Sequence, residues 1–182
     1  MCAILVLLVV LFLPPQGSSI VGAYAHRGQG DKARDVPAEL ARASRLQAQL
    51  WANPGDGAIA REYAEIMGDL GRFDMALRIA GEAAATPDPS NWQALAAVSD
   101  AFADLRNIDE CLAWAEKALA ACREAGEQAC PAHQELRLEL HVQQLRIGVG
   151  LKDKGFDPRF DPDGFRRELS KTHPTTRTGK SE

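Results

Sequence analysis

Four side chains in the carboxyl-terminal half of the chain have the chemistry to bind a metal or to form a covalent link. They are Cys122, Cys130, His133 and His141. Zinc sites and haem-attachment sites need close pairs of ligands, and the spacing of these four fits neither kind of site. The sequence therefore predicts no metal site. Two alternatives stay open for the cysteines: two free thiols, or a Cys122–Cys130 disulfide formed in an oxidising compartment.

Other combinations of catalytic residues are missing from the sequence. It contains no glycine-rich phosphate loop, no Gly-x-Ser-x-Gly nucleophile motif and no His-Glu-x-x-His motif. Asp157, Asp161 and Asp163 lie close together, but their spacing is not that of a calcium loop. Cys111 lies at a position where small residues are expected between helices, so we interpret it as a buried apolar side chain. The sequence predicts a protein that is not an enzyme and uses no cofactor.

Length and composition indicate one helical domain with additional segments. The chain has 182 residues, of which 46% are hydrophobic and 6% aromatic, and alanine is abundant. Alanine favours helices and lets their backbones approach closely, because it loses no side-chain entropy on folding. The formal net charge of −4 gives no sign of the clustered basic face that a nucleic-acid-binding protein needs.

The amino-terminal segment has the order of a secretory signal peptide. An apolar run of 11 residues, 3–13, is followed by two prolines and then by Ala23-Tyr24-Ala25. The run is shorter than the roughly 20 residues that a membrane-spanning helix needs. One feature of a signal peptide is missing, because no basic residue precedes the run. We predict a signal peptide at 1–25, or alternatively an uncleaved membrane anchor, and a flexible leader at 26–36. Either alternative places the rest of the protein outside the cytoplasm, in the periplasm or the extracellular space.

The region 37–170 is predicted to be all-α and contains two similar units, 57–88 and 91–125. A shift of 35 residues places Gly71 on Arg106 and superimposes apolar on apolar and small on small residues. Apolar residues recur every three or four positions in both units, which is the period of a helix. Before them, Asp35 and Asp56 are expected to cap helices at their amino ends. The small residues expected where helices cross are Ala64, Ala76, Ala83, Ser99, Cys111 and Ala118.

These units resemble tetratricopeptide repeats, helical hairpins of 34 residues with small residues at the helix crossing. The resemblance rests mainly on the stretches 70–77 and 108–112 and implies a short α-solenoid. It also implies that the first helix of each unit lines a concave, partner-binding face. The polar residues on that face would be Arg61, Glu62, Glu65, Asp69, Gln93, Asp100 and Asp104. Since five of these seven are acidic, we expect a partner segment that is basic.

A loop is predicted at 127–131, directly after the repeats. The segment that follows it permits two interpretations. Leucines and valines alternate along 135–151 as they would in a β-hairpin, yet Gln143-Gln144 lacks the conformational freedom of a hairpin turn. As a helix, the segment carries two opposite apolar stripes, and we favour a helix sandwiched between the repeats and a following segment. A short capping helix at 163–170 and a disordered tail at 171–182 complete the prediction.

The expected function is protein–protein interaction as a scaffold or assembly factor, with a protein or peptide partner and no nucleic acid. Contact with a membrane is expected only through the amino-terminal segment, if it is not cleaved. Self-association through stacked repeat ends is an alternative from a different class of function. A thiol-redox or metal-binding role is the weakest hypothesis. The acidic face could also be an ordinary solvated helix surface.

Overall fold

A computed structural model describes residues 35–172, which fold into seven helices with no strand among them. The all-α prediction is therefore confirmed for this part of the chain. The predicted signal peptide, most of the leader and most of the tail lie outside the described residues. In chain order the helices are α1 (Val36–Ala52), α2 (Gly57–Asp69), α3 (Phe73–Ala84), α4 (Asn91–Asp104), α5 (Ile108–Ala129), α6 (Ala132–Asp153) and α7 (Pro162–Thr172).

Aspartates cap the first two helices, as the sequence predicts. The Asp35 carboxylate accepts a hydrogen bond from the Ala38 N–H at 3.1 Å, and Asp56 accepts one from the Ile59 N–H at 3.0 Å. Each bond satisfies one of the backbone donors that the first turn of a helix leaves unpaired. The caps thus fix where α1 and α2 begin.

The turn between α2 and α3 and the turn between α4 and α5 have the same backbone structure. Gly71 and Arg106 occupy equivalent left-handed positions, with φ of 72° and 57°. Three N–H groups at each turn donate to carbonyls with the same spacing: Leu70 to Ile66, Gly71 to Gly68 and Arg72 to Met67, then Leu105 to Ala101, Arg106 to Ala103 and Asn107 to Phe102. This is the hydrogen-bond pattern that commonly ends helices at a left-handed residue. The 35-residue shift in sequence therefore corresponds to two helical hairpins with equivalent turns.

Small residues lie where the helices of each hairpin cross. All of the small residues expected there from the sequence are buried: Ala64, Ala76, Ala83, Ser99, Cys111 and Ala118. Larger side chains at such positions would push the helices apart, at a typical cost of about 1–3 kcal/mol. Their burial explains how hairpins with few aromatic residues still have a packed interior.

The two hairpins are joined at Ser90, just before α4. The Ser90 hydroxyl accepts a hydrogen bond from the Gly57 N–H at 2.9 Å and donates one to Asp88. Hydrogen bonds from the Ser90 side chain and backbone lower the pKa of the Asp88 carboxyl. A Cβ at Gly57 would collide with the Ser90 carbonyl, so this contact requires glycine. The start of α2 is thereby held against the start of α4.

Leu40 and Leu105 follow the same helical period as the buried apolar residues, which predicts that they face the interior, yet both are exposed. Leu40 is 37% exposed because, among the helices of residues 35–172, α1 packs only on α2. Leu105 is 45% exposed because it lies at the carboxyl-terminal cap of α4, where the chain leaves the core. Helical period alone does not reveal that a helix has a neighbour on only one side.

The carboxyl-terminal part differs from the prediction at the end of α5. The sequence suggested a loop at 127–131, whereas α5 continues to Ala129 through a kink at Gly126, where φ is 74°. Only Cys130 and Pro131 separate α5 from α6. Residues 132–153 form one helix, so the helical interpretation is confirmed and the hairpin interpretation is wrong.

Helix α7 covers only the carboxyl-terminal part of α6. The Phe165 ring lies near the buried Gly148, where a Cβ would also meet the Ile108 side chain. The expectation that both apolar stripes of α6 are covered is therefore wrong for its amino-terminal half. There Leu136 and Leu140 remain 56% and 51% exposed, because α7 has only 11 residues.

Candidate partner-binding groove

A cavity of about 400 Å³ lies between α4 and α6. Helix α2 packs on α4, and α4 packs on α5, but the Cα atoms of α4 and α6 nowhere come within 8 Å of each other. Helix α6 instead packs on α5 and α7. The cavity exists because α6 does not pack on α4 in the way that α4 packs on α2.

The floor of the cavity consists of buried side chains from α4 and α5. Trp92, Ala96 and Ser99 contribute from α4, and Ala115 from α5. The indole N–H of Trp92 donates a hydrogen bond of 3.0 Å to the carbonyl oxygen of Ala129. Trp92 therefore ties the end of α5, and with it the start of α6, to the first turn of α4.

Helix α6 forms the opposite wall and presents an apolar stripe to the cavity. Leu136 and Leu140 are one helical turn apart, line the cavity and are both more than half exposed. Leu138 also lines the cavity, and with Val142 it is buried in a cluster with residues of α5. Side chains four residues apart lie on the same face of a helix, so the two leucines form one continuous apolar surface. We call the cavity with its two walls the α4–α6 groove.

Two of the seven residues predicted for the partner-binding face line the α4–α6 groove, namely Arg61 and Asp100. Arg61 is paired with Glu65 through a 3.0 Å contact between Nε and Oε1. Glu62 instead pairs with Arg42 of α1, at 2.7 Å. Glu65 and Glu62 therefore interact with neighbouring arginines, and neither lines the groove.

The other three predicted residues also lie away from the groove lining. Asp69, Gln93 and Asp104 are half-buried and are not among the residues that surround the cavity. The Asp104 carboxylate lies against Gly68, since a Cβ at Gly68 would be 3.2 Å from its Oδ2. The acidic face expected from the sequence is thus distributed along α2 and α4, and only Asp100 contributes a carboxylate to the groove.

Most of the groove was not identified from the sequence, because its second wall comes from outside the two repeats. The missed lining residues with large or ionisable side chains are Trp92, His133, Leu136, Arg137, Leu140 and His141. The second apolar stripe on 135–151 is the one sequence signal for this wall, but a stripe of this kind equally predicts packing against a following segment. Exposure of the stripe depends on how far α7 reaches, which periodicity does not show.

Three polar groups of the groove lack a partner in the part of the chain that the structure describes. Asp100 on α4 and Arg137 on α6 take part in no ion pair or hydrogen bond there. The Nε2 atom of His141 is buried and has no hydrogen-bond partner among the described residues. A polar group that is shielded from water gains free energy when a partner is supplied, so the buried Nε2 of His141 favours a polar contribution from a ligand. Asp100 is half-buried and Arg137 is exposed, so these two offer charges with which a ligand can pair.

The cysteines near the groove form a disulfide. Cys122 and Cys130 are joined, with their Cα atoms 5.3 Å apart, and both are buried beside Trp92. Cys111 is a free, buried thiol that lies 3.3 Å from the Ser99 hydroxyl, and burial raises the pKa of this thiol. No group of three or more metal-ligating side chains is found within residues 35–172.

Comparisons of the chain with protein-family models, with curated proteins and with solved structures find no match. Across the helices that the structure describes, none combines the length and the apolar character needed to cross a membrane. The assignment of function therefore depends on the sequence and the geometry of the molecule itself.

Proposed function

We propose that this chain is a short solenoid of tetratricopeptide-like hairpins that works as a non-enzymatic interaction scaffold. In this proposal it holds a segment of another protein in the α4–α6 groove. The equivalent turns at Gly71 and Arg106 and the buried small residues between the helices support the repeat assignment. The packing of α2 on α4 also supports it, because stacked hairpins bring their first helices together.

The observation that carries the binding function is the gap between α4 and α6 with exposed leucines on its wall. Apolar side chains exposed side by side at the rim of a concave surface are typical of interaction sites. Burying a leucine side chain contributes about 1.5–3 kcal/mol, so Leu136 and Leu140 could supply much of the affinity for a short segment. A partner that fills the groove would also cover the Ser99–Trp92 floor.

We place the protein outside the cytoplasm in the same proposal. The apolar run at 3–13 with its small-residue ending supports export. The Cys122–Cys130 disulfide also supports it, since such bonds persist in oxidising compartments and are rare in the cytosol. The identity of the partner is left to experiment.

Site-specific photocrosslinking in the cells that produce the protein tests the binding function. A photoreactive phenylalanine analogue replaces Leu140 in one variant and Leu105 in another. Leu105 is a matched control because it is also an exposed leucine but does not line the groove. We expect one discrete crosslinked protein from position 140 and none from position 105.

A second pair of variants separates groove binding from chance proximity. With the crosslinker at position 136, Leu140→Glu should abolish the crosslink because it places a charge on the apolar wall, whereas Leu105→Glu should not. Crosslinks of equal yield from positions 140 and 105, or a crosslink that survives Leu140→Glu, would contradict the proposal.

Self-association is a second candidate, and the outer face of α1 favours it. Val36, Leu40 and Trp51 are all exposed on that helix, with Trp51 at 75%. Sedimentation across a concentration series provides the test, with Trp51→Glu as the variant. A wild-type protein that remains monomeric at high concentration would rule out this function.

A further inference from the structure

The two walls of the α4–α6 groove carry opposite charges. These charges indicate what kind of partner segment the groove binds, an inference that rests on the function proposed above. Asp100 projects a carboxylate from the α4 wall, and Arg137 projects a guanidinium from the α6 wall. Both line the groove, and neither has an ion-pair partner among residues 35–172. Unpaired charges facing one cavity from two sides are available to a ligand that lies between them.

The lining contains three other ionisable groups, namely two histidines and one arginine. His133 and His141 lie on the same helix as Arg137, and both line the groove. Arg61, the remaining charged residue of the lining, is already engaged by Glu65 at 3.0 Å. The α4 side therefore offers one unpaired anion, while the α6 side offers one unpaired cation and two imidazoles.

A uniformly basic partner does not match this arrangement. A lysine or arginine on the α4 side would pair with Asp100, but a second one on the α6 side would face Arg137. Like charges placed against each other across an interface reduce affinity and exclude wrong partners. A uniformly acidic partner meets the reverse difficulty at Asp100.

We infer that the groove recognises an amphipathic protein segment with a basic residue on one flank, an acidic residue on the other and an apolar ridge between them. The ridge enters between the Leu136–Leu140 stripe and the floor at Trp92 and Ala96. The basic flank faces Asp100 and the acidic flank faces Arg137. The partner segment is therefore expected to be basic only on the flank that faces α4.

Three fluorescein-labelled helical peptides test this inference by anisotropy at low salt. They share one leucine ridge at positions i, i+4, i+7 and i+11 and differ only in their flanks: lysine and glutamate, lysine on both, or glutamate on both. The wild-type protein should bind the mixed peptide tightest, by roughly two- to tenfold, which is the range expected for exposed charge pairs gained or opposed.

Charge-reversal variants should change the preferred peptide in a defined order. Arg137→Glu should prefer the lysine–lysine peptide, and Asp100→Lys should prefer the glutamate–glutamate peptide. The double variant should return to the mixed peptide. Arg45→Glu is the control, since Arg45 is an exposed arginine on α1 away from the groove, and it should leave the order unchanged.

The outcomes separate this inference from the proposed function. If all three peptides bind equally and Leu140→Glu weakens each of them, groove binding stands and recognition of opposite flanks is wrong. If the lysine–lysine peptide binds the wild type tightest, the partner is uniformly basic and the inference is also wrong. If no peptide binds and photocrosslinking at Leu140 also fails, both proposals are overturned.

Discussion

Breaking the Cys122–Cys130 disulfide provides a quantitative test of how the end of α5 is held. The bond closes a short loop, with a sequence separation of 8. The chain-entropy relation for a loop of that size gives about 2.5 kcal/mol at 25 °C, because the crosslink limits the unfolded chain. Both sulfur atoms are buried, so a reductant removes the link while leaving the packing volume in place.

Urea unfolding followed by helical circular dichroism measures this difference. We expect the free energy of unfolding of the wild type to fall by about 2.5 kcal/mol on reduction. For a domain of this size, that corresponds to a decrease in Tm of roughly 8–12 °C. The double variant Cys122→Ala/Cys130→Ala should be less stable than the reduced wild type by a further ~2 kcal/mol, since it also loses two buried sulfur atoms.

Two controls decide whether the reasoning holds. The double alanine variant must not respond to the reductant, because its only cysteine within residues 35–172 is the buried Cys111 thiol. Trypsin cuts after Arg123, between the paired cysteines, so unreduced protein should yield peptides 118–123 and 124–137 as one linked mass. A reductant effect below about 0.5 kcal/mol with that linked mass present would refute the entropic account. Separate peptide masses would show that the bond is absent.

Three further predictions concern single positions. Gly71→Ala should lower the free energy of unfolding in urea by about 1–2 kcal/mol, because φ at Gly71 is 72° and alanine is strained there. Gly81→Ala is the control, since Gly81 lies within a helix, and this variant should be neutral or stabilising. Similar effects at both positions would contradict the prediction. Burial raises the pKa of the Cys111 thiol, because the folded protein favours the neutral thiol over the thiolate. The contribution of the neutral thiol to the free energy of unfolding is therefore fully present below the pKa of an unfolded cysteine. It is lost as the pH rises through the pKa of the thiol in the folded protein. In the folded protein this thiol should resist alkylation at pH 8, and labelling as fast as in urea would contradict the burial. Gly148→Val should cost about 1–3 kcal/mol because side chains pack on that glycine, while Gly150→Val should not show this overpacking cost; equal losses would point to helix propensity instead.

The sequence predicts the first four helices closely because its signals there are local. Asp35 and Asp56 act as caps, and the small residues at the crossings are buried where the 35-residue shift places them. Each of these features depends on residues within a few positions of one another, or on contacts within one hairpin. Periodicity and capping report such local relations directly.

The groove was harder to predict because it depends on distances between helices that are far apart in sequence. The pattern of residues 135–151 does not indicate that α6 packs on α5 without packing on α4. The contact between Gly148 and Phe165, which determines where α7 lies, is likewise not encoded in any helical period. Arg61 and Asp100 are predictable because they lie on the first helices of the two units, whereas Arg137 lies outside both units.

The departure of α6 from α4 follows from the length of α5. Helix α3 ends at Ala84 after 12 residues, but the equivalent α5 runs for 22 residues, to Ala129. The kink at Gly126 and the Cys122–Cys130 disulfide then hold the short turn from which α6 starts, and the Trp92 hydrogen bond to Ala129 fixes that turn to α4. Because α6 begins beyond the length of a regular hairpin, its first turns face α4 across the groove instead of packing on it. The same residues that interrupt the 35-residue pattern therefore create the groove, and this is why its most exposed wall lies outside the two units.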